Sequence, residues 1–194
     1  MLQIVLIRPG STDYDRQERI QGTLDIPLDK QGAAELTGLV DELKETGIET
    51  VYAPECQPAQ ASARTVAKSL GVKCKKLDRM QNLDHGLWQG MLIEDVRQKQ
   101  PKVYRLWQEQ PETVCPPEGE TLSEADARVR VAVTKLVKRH KQGVIGLVVP
   151  EPLAALVRRF VRHDELGNLW KVSAEHAPWE VLTVEPEEVL QHSS

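Results

Sequence analysis

Two short, mainly aliphatic runs constrain the fold more than any other feature of this chain. Residues 2–7 read LQIVLI and residues 144–149 read VIGLVV. Proline ends both runs, at Pro9 and at Pro150. Runs of this length between such breakers are typical of strands buried on both faces of a parallel sheet, and they are too short to cross a membrane.

Helical patterns separate the predicted strands. Apolar residues recur at helical spacing before Gly47 and Gly71, which predicts helices over 30–46 and 59–70, each ended by its glycine. The other predicted elements are strands over 49–53, 72–77, 144–149 and 179–184, and helices over 92–110 with a break at Pro101, 121–143 and 153–162. Strands that alternate with helices predict an α/β fold, a three-layer α/β/α sandwich around a mainly parallel central sheet.

The composition fits one domain and excludes several classes of partner. The chain has 194 residues, of which 40% are hydrophobic and 28% charged, so we expect a single domain over 1–190 and a polar tail at 191–194. A formal net charge of -4 and a pI near 5.8 argue against nucleic acid and membrane as partners. The start of the chain lacks a signal-peptide pattern, and we expect a cytoplasmic protein.

The cysteines and histidines give no metal signature. Cys56, Cys74 and Cys115 are odd in number, widely spaced and without a Cys-x-x-Cys pair, so we expect reduced thiols. The histidines other than His85 also show no metal-ligand spacing. They are His140, His163, His176 and His192. The sequence therefore predicts neither a metal nor a cofactor.

The ends of the predicted strands indicate where the functional site lies. In open α/β sheets, ligands bind at the carboxyl ends of the strands. Pro9-Gly10 and Pro150-Glu151 follow the two aliphatic runs and stand at such ends. We therefore expect the functional cleft to lie around these positions.

A family resemblance starts at the first of these ends. Residues 6–12 read LIRPGST, which resembles the Arg-His-Gly-Glu-Thr signature of the histidine phosphatase superfamily, also called the phosphoglycerate mutase-like family, with proline in place of histidine. Further segments follow in family order, namely residues 21–28 (QGTLDIPL), 51–53 (VYA), 86–90 (GLWQG), 116–121 (PPEGET) and the strand ending at Val149. The resemblance implies an α/β sandwich, in agreement with the alternation of elements.

The resemblance also implies a reaction and a set of site residues. The family transfers a phosphoryl group through phosphohistidine, while arginines and a second histidine hold the phosphoryl oxygens and a carboxylic acid protonates the leaving group. Here Arg8 keeps the first arginine, whereas the nucleophilic histidine, the second arginine, the general acid and the second histidine fall on Pro9, Pro58, Asn82 and Pro150.

These replacements lead to the main functional prediction. Proline in a peptide has no titratable or nucleophilic nitrogen, and asparagine cannot act as a carboxylic acid. The sequence thus predicts a degenerate, catalytically inactive family member with a binding, scaffolding or regulatory role. Its partner would be an unidentified protein or a small anionic ligand, and the family's frequent oligomerisation allows a homodimer.

Several alternatives stay open. Arg8 either keeps an anion-binding role or is a relic that pairs with Asp15 or Glu151. An enzyme of the phosphomonoesterase or mutase type would need another nucleophile in the same cleft, with Cys56 or His85 as candidates against a buried inert thiol and a structural or surface histidine. A third reading is an active enzyme whose histidine lies in another register. The candidates for lining the cleft are Gly10, Asp15, Gln21, Gly22 and Glu151.

Overall fold

A five-stranded sheet forms the centre of the computed structural model, which describes residues 1–170 and 177–191. Its strands are β1 (Leu2–Ile7), β2 (Thr50–Ala53), β3 (Lys73–Lys76), β4 (Gly143–Val148) and β5 (Trp179–Val184). Their spatial order is β3-β2-β4-β1-β5. The first four run parallel, and β5 pairs antiparallel with β1.

Helices connect these strands and cover both faces of the sheet. The α-helices are α1 (Asp13–Arg16), α2 (Lys30–Leu43), α3 (Ala59–Leu70), α4 (Ile93–Lys99), α5 (Pro101–Glu109), α6 (Leu122–Arg139), α7 (Leu153–Arg162) and α8 (Pro186–Gln191). Short 3-10 turns lie at Lys44–Thr46, Gly86–Trp88 and Pro111–Thr113. Buried side chains of α2 and α3 share one apolar cluster, and those of α6 and α7 share another.

The alternation of side chains along β1 explains the layering. Ile4 and Leu6 belong to the cluster that contains α6 and α7, whereas Val5 and Ile7 belong to the cluster with α2 and α3. Successive residues of a strand point to opposite faces. A central strand with helices on both faces therefore needs apolar residues at consecutive positions, which is the pattern seen in the sequence.

The structure confirms the predicted α/β sandwich and most element boundaries. Predicted helix 30–46 ends as an α-helix at Leu43, continues as a 3-10 turn and is closed by Gly47 at φ 75°. Pro101 takes the first position of α5, where the missing N–H costs no helical hydrogen bond. Helices α1 and α8 are short and lack a recurring apolar face, so periodicity did not reveal them.

Two further observations concern the described residues alone. No helix within 1–170 or 177–191 is long and apolar enough to cross a membrane. In the same ranges, no group of three or more His, Cys, Asp or Glu side chains is placed to hold a metal ion. The predicted polar tail begins at Gln191, the last residue of α8, and residues 192–194 lie outside the described part, as does His176.

Candidate active site

A cavity of about 700 Å³ opens at the carboxyl ends of β1 and β4. These strands are neighbours with Ile7 opposite Val148, so the chain leaves the sheet at adjacent points. Pro9 and Pro150 follow these ends and line the cavity. The cavity wall brings together the site positions implied by the family resemblance and the predicted cleft-lining residues, namely Arg8, Pro9, Gly10, Asp15, Gln21, Gly22, Pro58, Asn82, Pro150 and Glu151.

The loop after β1 is held by close backbone contacts. The N–H of Gly10 donates to Oγ of Ser62 in α3 at 3.0 Å. A Cβ atom on Gly10 would lie 2.5 Å from the carbonyl oxygen of Gly32 in α2, so only glycine fits there. Ser11 donates to the Glu35 carboxylate from both its N–H and its hydroxyl, each at 3.1 Å. The loop is thereby fixed against both helices.

Asp15 is engaged as a helix cap. Its Oδ2 accepts from the N–H of Thr12 at 2.7 Å and from the Thr12 hydroxyl at 2.8 Å. The Asp15 N–H donates back to Thr12 Oγ1 at 3.3 Å, which completes a capping box at the start of α1. The carboxyl group that lines the cavity is thus held in place by its hydrogen bonds with Thr12.

The turn through Gln21 and Gly22 depends on a left-handed backbone. Gly22 has φ 55°, and a Cβ atom there would lie 2.1 Å from Oε1 of Gln89. That oxygen accepts from the N–H of Thr23 at 2.7 Å. Next to this turn, Arg19 donates from Nη1 to the carbonyl of Gly90 at 2.6 Å. These bonds tie the cavity wall to the segment 89–90.

Asn82 is fixed as a neutral amide. Its Oδ1 accepts from the N–H of Leu83 at 2.9 Å. The carbonyl of Asn82 accepts from Arg128 of α6 at 3.1 Å, and the same guanidinium holds the carbonyl of Gln81 at 2.8 Å and the Glu120 carboxylate. The position therefore offers amide hydrogen bonds to a ligand and no carboxylic proton.

Glu151 belongs to a buried charge network. Its Oε1 accepts from Arg158 at 2.7 Å, and its Oε2 accepts from the N–H of Ala155 at 3.1 Å. Arg158 also donates to Glu180 at 2.9 Å. The side chain after Pro150 is thus held in the cavity wall by an ion pair and a backbone hydrogen bond.

His85 is the imidazole that lines the cavity among the described histidines. Burial lowers its pKa to about 4, against a smaller opposing effect of the Asp84 charge, so the ring is neutral at pH 7. Its buried Nδ1 has no hydrogen-bond partner within residues 1–170 and 177–191. The surface role considered from the sequence is wrong, since the side chain is 7% exposed. The sequence signal was its place before the GLWQG segment.

Several aromatic and apolar residues complete the wall, and sequence reasoning missed them as site residues. Trp107 lies edge-on to His85 with ring centroids 5.4 Å apart, and Trp170 lies 6.0 Å from Trp107. Trp107 is also a core residue, since it is 1% exposed. Further lining residues are Arg19, Ile20, Glu35, Glu42, Ile93 and Leu169. They come from distant segments, so no local motif marks them.

Cys56 does not share this site. It is absent from the residues that line the cavity, and its pKa is raised to about 11 by burial and by the charge of Asp25. A thiol with that pKa is protonated at neutral pH and is a poor nucleophile. The suggestion that Cys56 acts in the cleft is therefore wrong. His140 is also remote from the cavity and bonds to the hydroxyl of Tyr52 at 2.8 Å.

Comparisons with known proteins agree with this fold. The family model of the histidine phosphatase superfamily (branch 1) matches residues 4–192, and the chain belongs to this family. Phosphoserine phosphatase 1 of Hydrogenobacter thermophilus is 28% identical over 186 residues, which cover 95% of this chain and 88% of that protein. Phosphoglycerate mutase-like protein 4 of Arabidopsis thaliana is 28% identical over 72% of this chain and 62% of its own length.

Solved structures share the architecture. YhfR of Bacillus stearothermophilus superposes with a TM-score of 0.83 at 21% identity, covering 95% of this chain and 92% of its own. A mycobacterial glucosyl-3-phosphoglycerate phosphatase gives a TM-score of 0.77 at 23% identity, covering 86% and 89%. At these identities the likeness establishes the fold.

The comparisons correct one prediction from the sequence. The expectation of a catalytically inactive protein is wrong, because the relative that matches nearly the whole chain is named a phosphatase. The expectation rested on prolines at the strand ends, which remove one nucleophile from the cavity. They leave the neutral imidazole of His85 on its wall.

Proposed function

We propose that the protein is a phosphomonoesterase whose nucleophile is His85. The observation that carries the proposal is a neutral imidazole on the wall of the cavity at the strand ends. An unprotonated imidazole is the form that attacks phosphorus. The relative named phosphoserine phosphatase 1, which matches 95% of this chain, supports the same class of reaction.

The proposal includes the replacement of the usual histidines. On the family resemblance, Pro9 and Pro150 stand where the two histidines belong, so a phosphohistidine at residue 9 cannot form. Among the alternatives named from the sequence, Cys56 is protonated and away from the cavity. His85 therefore takes the nucleophilic role. Because its Nδ1 is buried, Nε2 is the nitrogen that meets the substrate.

The proposed reaction has two balanced steps. The imidazole lone pair of His85 bonds to phosphorus, and the bond from phosphorus to the ester oxygen breaks with its electron pair on the departing oxygen, which takes a proton from solvent. Water then attacks the phosphohistidine, loses a proton, and yields inorganic phosphate and neutral imidazole. With an alcohol instead of water, the same intermediate gives mutase-type transfer. Arg8 and Arg19 line the cavity and supply positive charge for phosphoryl oxygens.

The proposal also includes the partner, the oligomeric state and the cellular compartment that were expected from the sequence. The partner is a small anionic ligand, the phosphomonoester, and the working unit is the single domain over 1–190, as a monomer or homodimer. We place its action in the cytoplasm. The unpaired thiols of Cys56, Cys74 and Cys115 suit a reducing compartment.

Release of inorganic phosphate from a panel of phosphomonoesters tests the proposal. We expect His85→Gln to lower turnover by about a thousandfold, since a nucleophile is lost. The matched control is His140→Gln, which changes a histidine far from the cavity and should retain full turnover. Absence of phosphate release by the parent protein at high enzyme concentration would overturn the proposal.

Detection of phosphohistidine in the parent protein tests the proposal even if His85→Gln misfolds. Parent protein is mixed with substrate, quenched in alkali, where phosphohistidine is stable, and digested for mass spectrometry. A phosphoryl group on the peptide that contains His85 supports the proposal. Turnover with the phosphoryl group on another residue contradicts it, whatever the fold of His85→Gln.

A further inference from the structure

We infer that the cavity selects phosphomonoesters with an aryl leaving group, an inference that rests on the proposed function. The reacting imidazole stands in an aromatic wall. His85 is 5.4 Å from Trp107 between ring centroids, and Trp107 is 6.0 Å from Trp170. Trp107 is 1% exposed and backs this part of the wall from the core. The half-buried Trp170, together with Ile93 and Leu169, is therefore the apolar side of the cavity that a departing group can contact.

The indole of Trp170, unlike Nδ1 of His85, has its polar atom engaged within the protein and its ring stacked on a neighbour. Trp170 stacks on Tyr104 with centroids 5.1 Å apart and an interplanar angle of 14°. The indole N–H of Trp170 donates to the carbonyl of Tyr104 at 3.0 Å. Ile93 and Leu169 line the same cavity. A flat apolar ring gains contact area and aromatic pairing at this side of the cavity, whereas a charged or hydroxylated chain has to reach polar residues elsewhere on the wall, such as Arg19 and Gln21.

The acid-base groups of the cavity point to the same substrates. Alkyl esters need a carboxylic acid to protonate the departing alkoxide, and Asn82 supplies an amide. The described carboxylates that line the cavity already accept hydrogen bonds. Glu151 accepts from Arg158, Glu35 from Ser11, Asp15 from Thr12, and Glu42 from the indole of Trp179.

An aryl oxide removes the need for that acid. A phenol ionises near pH 10, as the tyrosine side chain does, so its anion leaves phosphorus unprotonated far more easily than an alkoxide does. The aromatic wall and the lack of a placed carboxylic acid are independent observations. Both favour the aryl class of phosphomonoester over the amino-acid or sugar class.

Turnover of matched substrates tests the inference. We expect kcat/KM for 1-naphthyl phosphate to exceed that for phosphoserine by about a hundredfold, and kcat/KM for substituted phenyl phosphates to rise steeply as the leaving phenol becomes more acidic. Trp170→Leu should raise KM for 1-naphthyl phosphate about fivefold with little change in kcat. The control is Val131→Ala, because Val131 is exposed on α6 and is not among the residues that line the cavity. Equal turnover of alkyl and aryl esters would overturn the inference and leave the proposed function standing.

A binding measurement separates failure of the inference from failure of the proposed function. Titration calorimetry with 1-naphthylphosphonate, which cannot be hydrolysed, needs no catalysis. Binding that weakens about fivefold in Trp170→Leu and is unchanged in Val131→Ala supports the aryl site even if no ester is turned over. Absence of binding, or equal binding by both variants and the parent, overturns it.

Discussion

Arg158 donates from Nη2 to Oε1 of Glu151 at 2.7 Å, and each side chain is 7% exposed. This pair fixes the residue that follows Pro150 at the end of β4. Since Arg158 also binds Glu180, one guanidinium joins α7, β5 and the cavity wall. A buried charge without its partner is costly, so the geometry of this corner depends on Arg158.

Removal of Arg158 should therefore be severe. We expect Arg158→Met to lower the free energy of unfolding by about 3 to 5 kcal/mol, because the buried Glu151 carboxylate loses this ion pair. Urea unfolding monitored by circular dichroism measures this loss. The double variant Arg158→Met with Glu151→Gln should recover about half of it, since the uncompensated charge is gone.

The control for this prediction is an exposed ion pair. Arg97 binds Glu94 on the surface of α4 at 2.9 Å. Arg97→Met should change the unfolding free energy by less than about 0.5 kcal/mol, because solvent screens such pairs. Equal losses in Arg97→Met and Arg158→Met would contradict the importance assigned to the buried network.

Two glycines on the cavity wall should respond in opposite ways to alanine. Gly22 has φ 55° and faces Gln89 Oε1, so Gly22→Ala should destabilise the fold by about 1 to 3 kcal/mol. Gly38 lies inside α2 with nothing within 4 Å of its Cβ position, so Gly38→Ala should stabilise it by about 0.5 to 1 kcal/mol. Thermal unfolding of the two variants measures both changes in stability. A Gly22→Ala variant as stable as the parent protein would contradict the left-handed conformation of Gly22.

Much of the fold could be predicted from local signals. Residues 2–7 form β1 and 59–70 form α3 as predicted, because apolar runs, glycine caps and prolines act over a few residues. Strand β5 was predicted in position, but its antiparallel pairing with β1 depends on the path of the whole chain. Because Pro9 and Pro150 follow the ends of predicted strands, their position on the cavity wall could also be predicted.

The chemical character of the site could not be predicted in this way. The burial that keeps His85 neutral comes from packing by Trp107 and other distant residues. The sequence places His85 beside a recognisable motif but gives no information on solvent around the ring. Likewise, the ion pair of Glu151 with Arg158 joins the cavity loop to α7. The two residues do not lie in one sequence motif, so the sequence did not indicate the pair.

The thiols should differ in reactivity. Burial and the Asp25 charge raise the pKa of Cys56 to about 11, whereas Cys115 is exposed. At pH 8 we expect iodoacetamide to alkylate Cys56 at least about tenfold more slowly than Cys115, because the thiolate is the reactive form. Mass spectrometry of quenched samples gives the rate at each cysteine. Faster alkylation of Cys56 would restore it as a candidate nucleophile.

The neutral state of His85 should give the protein a specific pH dependence. Burial lowers the folded-state pKa to about 4 from its ordinary value of 6.5. Between these values the unfolded chain binds a proton that the folded protein does not, so the unfolding free energy falls as the pH is lowered from 6.5 to 4, by up to roughly 3 kcal/mol. His85→Gln lacks this contribution, and urea unfolding of both proteins at pH 7.5, 5.5 and 4.5 isolates it. We expect the parent to lose more stability than the variant over this range, while equal losses would mean that the folded protein protonates His85 as readily as the unfolded chain does.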